Sequence, residues 1–488
     1  MRRLLSCTYA AVLLLGAFTF QLPAAGAAQR EARSGQRPRA AGPRTTVGWD
    51  AVPAILARIR PPKFPARDFP ITDFGARAGG EFDNTEAIRK AIEACNRAGG
   101  GRVVVPAGVF LTGAVHLKSN VNLHVAEGAT LKFSADPAKY LPVVFTRWEG
   151  TELMNYSPLI YAFEQQNIAV TGKGTLDGGA SDDNWWKWAR RGAGGARSLA
   201  HEDVQRLRKM GDTGVPVRER VFGQGYHLRP PFIQPYRSRN ILIEGVTIIN
   251  SPFWEVHPVL SQNVTVRGLN IKTHGPNNDG CDPESSKDVL IEDCVFDTGD
   301  DCIAIKSGRD DDGRRVGVAS ENIIVRNCTM KDGHGGVVIG SEISGDVRNV
   351  FVEDCKMDSP NLDRALRFKS NAKRGGVLEN VFMRNVEVGR VAEAVLTIDL
   401  LYFNEQGPHK PVVRNVQMEN VTSRSSPRVM WVVGFPGVTI DDISFRNCTF
   451  RGVETAEVLN HAGSFSFENV TIEPAKKGRS LNSPTGTQ

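Results

Sequence analysis

Asp300 and Asp301 stand side by side in "VFDTGDDCIAIKSG" (295–308), directly before an apolar run, and Asp279 lies about twenty residues earlier in "GPNNDGCD". Aspartate is a poor strand former and costly to bury, so local structure does not account for them. His334 follows Asp301 by 33 residues, Arg367 follows His334 by 33, and Tyr402 follows Lys369 by 33. Arg367 and Lys369 are two apart, the strand spacing that points both side chains the same way. Hydrolysis of a glycosidic bond needs one protonated carboxyl to protonate the leaving oxygen and one carboxylate to activate water. Carboxylates packed together raise at least one pKa, which keeps an acid protonated at mildly acidic pH. Arginine and lysine beside them suit a substrate that is itself a carboxylate, arginine being the better bidentate partner.

Residues this far apart meet only if the chain returns to the same place at regular intervals. A repeat supplies that return. "NILIEGVTIIN" begins at Asn240, "NVTVRGLNIKT" at Asn263, "DVLIEDCVFDT" at Asp288, "NIIVRNCTMKD" at Asn322, "NVFVEDCKMDS" at Asn349, "NVFMRNVEVGR" at Asn380 and "NVQMENVTSR" at Asn415. Each is a short alternating strand, a two-residue polar turn and a second short strand. Self-similarity at about 23 to 35 residues signals stacked units sharing one core, here the coils of an all-β, single-stranded, right-handed parallel β-helix. Coils stack about 4.8 Å apart. Asp279, the Asp300–Asp301 pair, His334, Arg367, Lys369 and Tyr402 are therefore expected to line one groove, with one contribution per coil.

The remainder of the chain frames this solenoid. Arg2 and Arg3, the apolar "AAVLLLGAFTF" and the small residues Ala24–Ala28 read as an export signal over 1–28, too short for a membrane anchor. Residues 29–60 read as a basic low-complexity spacer, 61–475 as the β-helix, and 476–488 as a flexible tail. In "DNTEAIRKAIEACNRAGGG" an N-terminal capping helix is expected, with Asp83 and Glu86 forming a capping box and Gly99–Gly101 stopping it. The net charge is +6, but the signal contributes +2 and the 30–44 stretch +4. The body is near neutral, which excludes a nucleic-acid-type basic surface. Cys294, Cys328, Cys355 and Cys448 occupy one repeat slot, so an interior ladder is expected; no CxxC pair suggests metal. Cys281 and Cys302 stand about one coil apart, with a disulfide in an oxidising compartment left open.

The motifs "NND" (277–279), "GDD" (299–301), "GHG" (333–335) and "RFK" (367–369) resemble, in order and spacing, those of the polygalacturonases, glycoside hydrolase family 28, over about 70–474. The resemblance implies a pectin-lyase-like solenoid that hydrolyses α-1,4-galacturonosidic bonds of homogalacturonan with inversion. It implies Asp300 as general acid, Asp279 with Asp301 activating water, and His334 supporting the acid or binding sugar. It also implies Arg367, Lys369, Tyr402 and Asn277 as substrate contacts. It further implies a secreted monomer acting on pectin oligosaccharides without cofactor, metal, nucleic-acid or membrane partner. Asn278 replaces the family's threonine and Phe368 its isoleucine, and neither touches the implied chemistry. Stacked coils put the carboxylates about 5 Å apart, the spacing of a retaining enzyme, whereas the resemblance implies inversion.

Three other readings fit parts of the chain. A pectate lyase would use Ca²⁺, and "RDDDGRR" (309–315) offers carboxylates, although it lacks regular ligand spacing and reads as a solvated turn. A non-catalytic carbohydrate-binding β-helix would have no need of three carboxylates. A rhamnogalacturonan-type hydrolase of the same family is disfavoured because that branch typically lacks the Gly-His-Gly and Arg-x-Lys set. An insertion at about 180–227 interrupts the coils and carries Trp185, Trp186, Trp188, Arg190, Arg191 and Arg197. It is expected to wall one end of the groove and give exo action, as the resemblance to bacterial exo-polygalacturonases implies; the alternative is that it packs on the helix and leaves an endo-enzyme.

Overall fold

The computed structural model describes residues 47–475; the expected signal, the first part of the spacer and the 476–488 tail lie outside the described residues. The chain winds into a parallel β-helix whose coils feed three sheets. The first has thirteen strands and the second twelve. The third runs as three- and six-stranded pieces joined through the bridges Ile233–Val256–Cys281–Ile303.

Alternation within each repeat sets which residues turn inward. Ile241, Val264, Val289, Ile323, Val350, Val381, Val416 and Ile443 pair in sequence down the first sheet, and all are buried. Each such side chain contributes roughly 1.5–3 kcal/mol by leaving water. The asparagine that opens most repeats has its own task. Asn167, Asn240 and Asn263 have φ between +54° and +57°, and each donates its side-chain amide to the asparagine oxygen one coil back. Asparagine tolerates this left-handed conformation and can both donate and accept, so it repeats at the corner.

Cys294, Cys328 and Cys355 form the expected interior ladder, Val386 and Val421 continue it, and Cys448 follows. Cys281 and Cys302 are both free and buried; the Cys281 N–H donates to the Cys302 carbonyl at 3.1 Å.

Helix α1 (Val52–Arg58) corrects the reading of 29–60 as a spacer, because residues from Val47 onward are ordered against the first sheet. Val52, Ile55 and Ile59 bury against Leu290, Ile324, Phe351 and Phe382, which occupy the outward face of four consecutive coils. Asp288 replaces asparagine in the corner ladder, and Arg58 pairs with it at 2.9 Å. Helix α2 (Thr85–Arg97) lies across the first coils through Ala87, Ile88, Ala91, Ile92 and Cys95. Its capping box does not form. Asp83 instead accepts from the Thr85 N–H (3.0 Å) and from Lys139 (2.8 Å), while Glu86 pairs with Arg89. Lys139, 56 residues away, supplies a partner that the local pattern cannot show.

Phe351→Ala removes the centre of the surface that receives α1. The expected cost is roughly 3–5 kcal/mol in denaturant unfolding, with turnover in native buffer unchanged.

Candidate active site

The catalytic candidates sit at the edge of the third sheet, where glycine-rich turns let neighbouring coils come close. A Cβ on Gly299 would stand 2.6 Å from the Gly275 carbonyl oxygen. Gly333 has φ +153°, and a Cβ there would lie 2.7 Å from the Asp300 carbonyl oxygen. These approaches bring one oxygen each of Asp279, Asp300 and Asp301 within 4.8 Å of one another.

The three carboxylates have different surroundings. Asp300 is partly exposed and its Oδ1 accepts from its neighbour's N–H and from His334 Nδ1, both at 3.0 Å. Burial pushes Asp300 up, but the hydrogen bond and charge of His334 prevail and hold it at about 2. That hydrogen bond in turn lifts His334 to about 9. Asp301 is fully buried, with Oδ2 taken by Lys369 Nζ at 2.5 Å and Oδ1 left without a protein donor. Asp279 is buried beside Lys306 Nζ at 3.4 Å, and its Oδ1 is likewise unpaired. Burial, then the Asp300 charge, pushes Asp279 well above the carboxylate range.

The structure brings all of the expected residues to this region and gives several of them partners within the protein. Lys369 is occupied by Asp301, so it is not a free cation for substrate. Arg367 approaches Asp301 only to 3.8 Å and faces the Tyr402 ring at 5.6 Å. Asn277 accepts from Arg229 Nη2 at 2.6 Å. The expected one-per-coil register does not hold. Ile303 pairs with Val337, Val337 with Leu366 and Leu366 with Leu396, steps of 34, 29 and 30 residues. His334 therefore stacks on Asp300, but Lys369 stacks on Asp399, and Tyr402 lies in a short turn beyond the strand. Asn278 also does more than expected. It is fully buried and makes hydrogen bonds with Thr273, Gly275, Ser251 and Phe253, fixing the loop that carries Asp279. Phe368 points into the core.

Several residues escaped the sequence reading. Lys306, in the same "CIAIKSG" strand, is buried among Asp279, Asp282 and Glu342 and lies 4.3 Å from the Trp254 ring. Arg229 donates to the Pro252 and Pro276 carbonyls as well as Asn277, and burial lowers it to about 10. The "RDDDGRR" segment is not a solvated turn: residues 310–316 form α4, with Asp310 paired to Arg374 and Asp312 to Arg220 and Arg315. Arginines thus saturate the carboxylates on which a calcium loop would rely. In the insertion, α3 (His201–Asp212) packs near α4. Trp185 and Trp188 are buried against Tyr140 and Tyr156, so they anchor the insertion rather than offer sugar-stacking faces. Trp186 alone of the three stays partly open, its Nε1 donating to the Ser251 carbonyl at 2.8 Å beside Gly275.

The sequence model of glycosyl hydrolases family 28 matches residues 222–467, which hold every candidate catalytic residue. The chain belongs to that family. A hyperthermoactive exopolygalacturonase from Thermotoga maritima is 48% identical, with 87% of this chain and 96% of that one covered and a TM-score of 0.84. An exo-poly-alpha-D-galacturonosidase of Dickeya chrysanthemi is 29% identical over 445 residues, covering 84% of this chain and 71% of the relative. An endo-polygalacturonase of Pectobacterium parmentieri is 30% identical over 359 residues, covering 70% and 78%. This family member is a glycosidase on a pectin-lyase-like parallel β-helix.

The Asp300–His334 pair has a defined pH range. Its contribution from His334 is complete below the imidazole's unfolded value near 6.5 and is lost as pH rises through about 9. Its contribution from Asp300 is complete above the unfolded value near 3.9 and is lost as pH falls through about 2. An NMR titration of His334 is expected to give a midpoint near 9 in the native enzyme and one below 7 in Asp300→Asn. Equal midpoints would break the pairing.

Proposed function

We propose that this enzyme hydrolyses α-1,4-galacturonosidic bonds of homogalacturonan with inversion, acting from chain ends. The observation that carries the reading is the division of labour among the carboxylates. Asp300 alone is partly open and linked to an imidazolium, while Asp279 and Asp301 each keep one buried oxygen without a protein donor. A water molecule bound between those two oxygens would be positioned for attack, with Asp301 as its base and Asp279, held protonated by burial and the Asp300 charge, orienting it.

Asp300 is the general acid. The hydrogen bond and charge of His334 hold its carboxyl at about 2 against the effect of burial. An anionic sugar that displaces water and adds negative charge raises it, and His334 Nδ1 holds a proton 3.0 Å from Oδ1. The short distance among the carboxylates would suit a covalent nucleophile. Lys369 holds Asp301 and Lys306 holds Asp279 back from the sugar, which leaves room for a water rather than a covalent bond. Arg367 binds the substrate carboxylate, Tyr402 faces its sugar, and Lys369 positions Asp301.

Chain-end action is supported by the insertion, which sets Trp186 beside Ser251 and Gly275, and by the names of the Thermotoga and Dickeya relatives. Export by the 1–28 segment would bring the enzyme to its polymer.

On polygalacturonate, mono- or short galacturonides are expected from the earliest time points, with viscosity falling slowly relative to reducing ends. Proton NMR of the fresh product is expected to show the β-anomer. Asp300→Asn should lower kcat by roughly 10²–10⁴-fold with folding retained. A rapid viscosity drop would mean an open groove, and an α-anomer would mean retention.

Arg367 and Lys369 are expected to separate kinetically. Arg367→Ala raises KM about tenfold or more, because it removes a charge-assisted contact to bound sugar. Lys369→Ala mainly lowers kcat, because Asp301 loses its partner. Reversal of that pattern would exchange their roles.

A further inference from the structure

Tyr402 is followed by a turn that packing alone does not explain. Phe403 has φ +57° and Asn404 φ +51°. A left-handed conformation is tolerable for asparagine but is an outlier for a bulky aromatic residue. Phe403 gains no burial in exchange: it is 66% exposed, the most open of the large apolar side chains among the described residues. Strain that persists without a packing reward points to function.

The turn is held firmly. Glu405 reaches back to Arg309 (3.4 Å), Arg374 (3.3 Å) and Asn371 (3.1 Å). Asn371 also donates to the Tyr402 carbonyl at 2.9 Å, and the Tyr402 N–H donates to the Ser370 carbonyl at 3.0 Å. The Phe403 ring is thereby fixed 4.2 Å from that of Tyr402, centroid to centroid and inclined by 47°. Tyr402 lies 5.5 Å from the Lys369 ammonium, which binds Asp301. The two rings form a bent aromatic surface running outward from the catalytic carboxylates, on later coils than the insertion.

We propose that Phe403 is a substrate-binding residue that stacks on the galacturonate unit one beyond the sugar facing Tyr402, on the side of the scissile bond away from the insertion. This rests on the galacturonan reading above and adds a subsite to it. A pyranose offers an apolar C–H face to an aromatic ring, while its carboxylate stays in solvent. An exposed, rigidly placed ring loses little freedom on binding such a face. The position gives the enzyme a preference for chains long enough to reach it.

The test compares kcat/KM on digalacturonate, which spans only the scissile bond, with tetragalacturonate, for the native enzyme, Phe403→Ala, Phe403→Gly and Phe403→Trp. Both small variants are expected to lose about tenfold on tetragalacturonate and less than twofold on digalacturonate, and the Trp variant to keep the native ratio. Glycine accepts the positive φ, so Phe403→Gly should melt no lower than the native enzyme and decides the matter if Phe403→Ala is unstable. An unchanged tetra-to-di ratio in Phe403→Gly overturns the subsite. Failure of the native enzyme to cleave any galacturonide overturns the substrate reading instead.

Discussion

Every coil must lay its inward side chains on those of the coil before it, and everything else in this molecule is arranged around that constraint. Ile, Val, Cys and Met can fill the interior column because they differ little in reach, and the asparagine corners keep each coil in phase. With the interior fixed, coil length is free to vary on the outside. The groove residues arise from that freedom: loops of different length bring Asp279, Asp300 and His334 to neighbouring positions, while Lys369 and Tyr402 arrive from farther along.

The site then faces an electrostatic problem that the solenoid alone does not solve. Three carboxylates within 4.8 Å repel one another and lose hydration, so the protein surrounds them with ammonium and guanidinium groups. Lys306 and Lys369 serve the two inner aspartates directly. Glu342 then balances Lys306, Arg309 and Arg374, and the chain of pairs continues through Asp310 and Glu405. Burial disfavours the charge on Glu342, yet those cations hold it well below its ordinary range. The network connects α4 with the Tyr402 turn, so the charge balance behind the aspartates also fixes a wall of the groove.

The repeat and the four motifs were legible because each is local: alternation, polar corners and short strings of characteristic residues. What stayed hidden is non-local. Lys306 lies in plain view in "CIAIKSG", but its partners Asp279 and Glu342 lie 27 and 36 residues away. Equal 33-residue intervals suggested a shared register that unequal coils do not keep. Tryptophans 185 and 188 were ambiguous between packing and binding until Tyr140 and Tyr156 were seen to cover them. The docking of α1 was missed because its receiving surface, Leu290, Ile324, Phe351 and Phe382, appears in sequence only as an apolar residue at an outward position of four repeats.

That helix has a kinetic consequence. A solenoid whose coils touch only their neighbours can fray from either end and nucleate anywhere. Residues 52–59 instead bridge four coils spread from 290 to 382, closing a loop of more than two hundred residues. Contacts of such high order form late, after the coils they span exist. Among the first segments of the described chain to be synthesised, α1 is among the last to lock. Once locked, it joins those four coils into one cooperative block, and the candidate site residues from Asp300 to Lys369 lie within the span that the block protects from local opening, with Asp279 just before it.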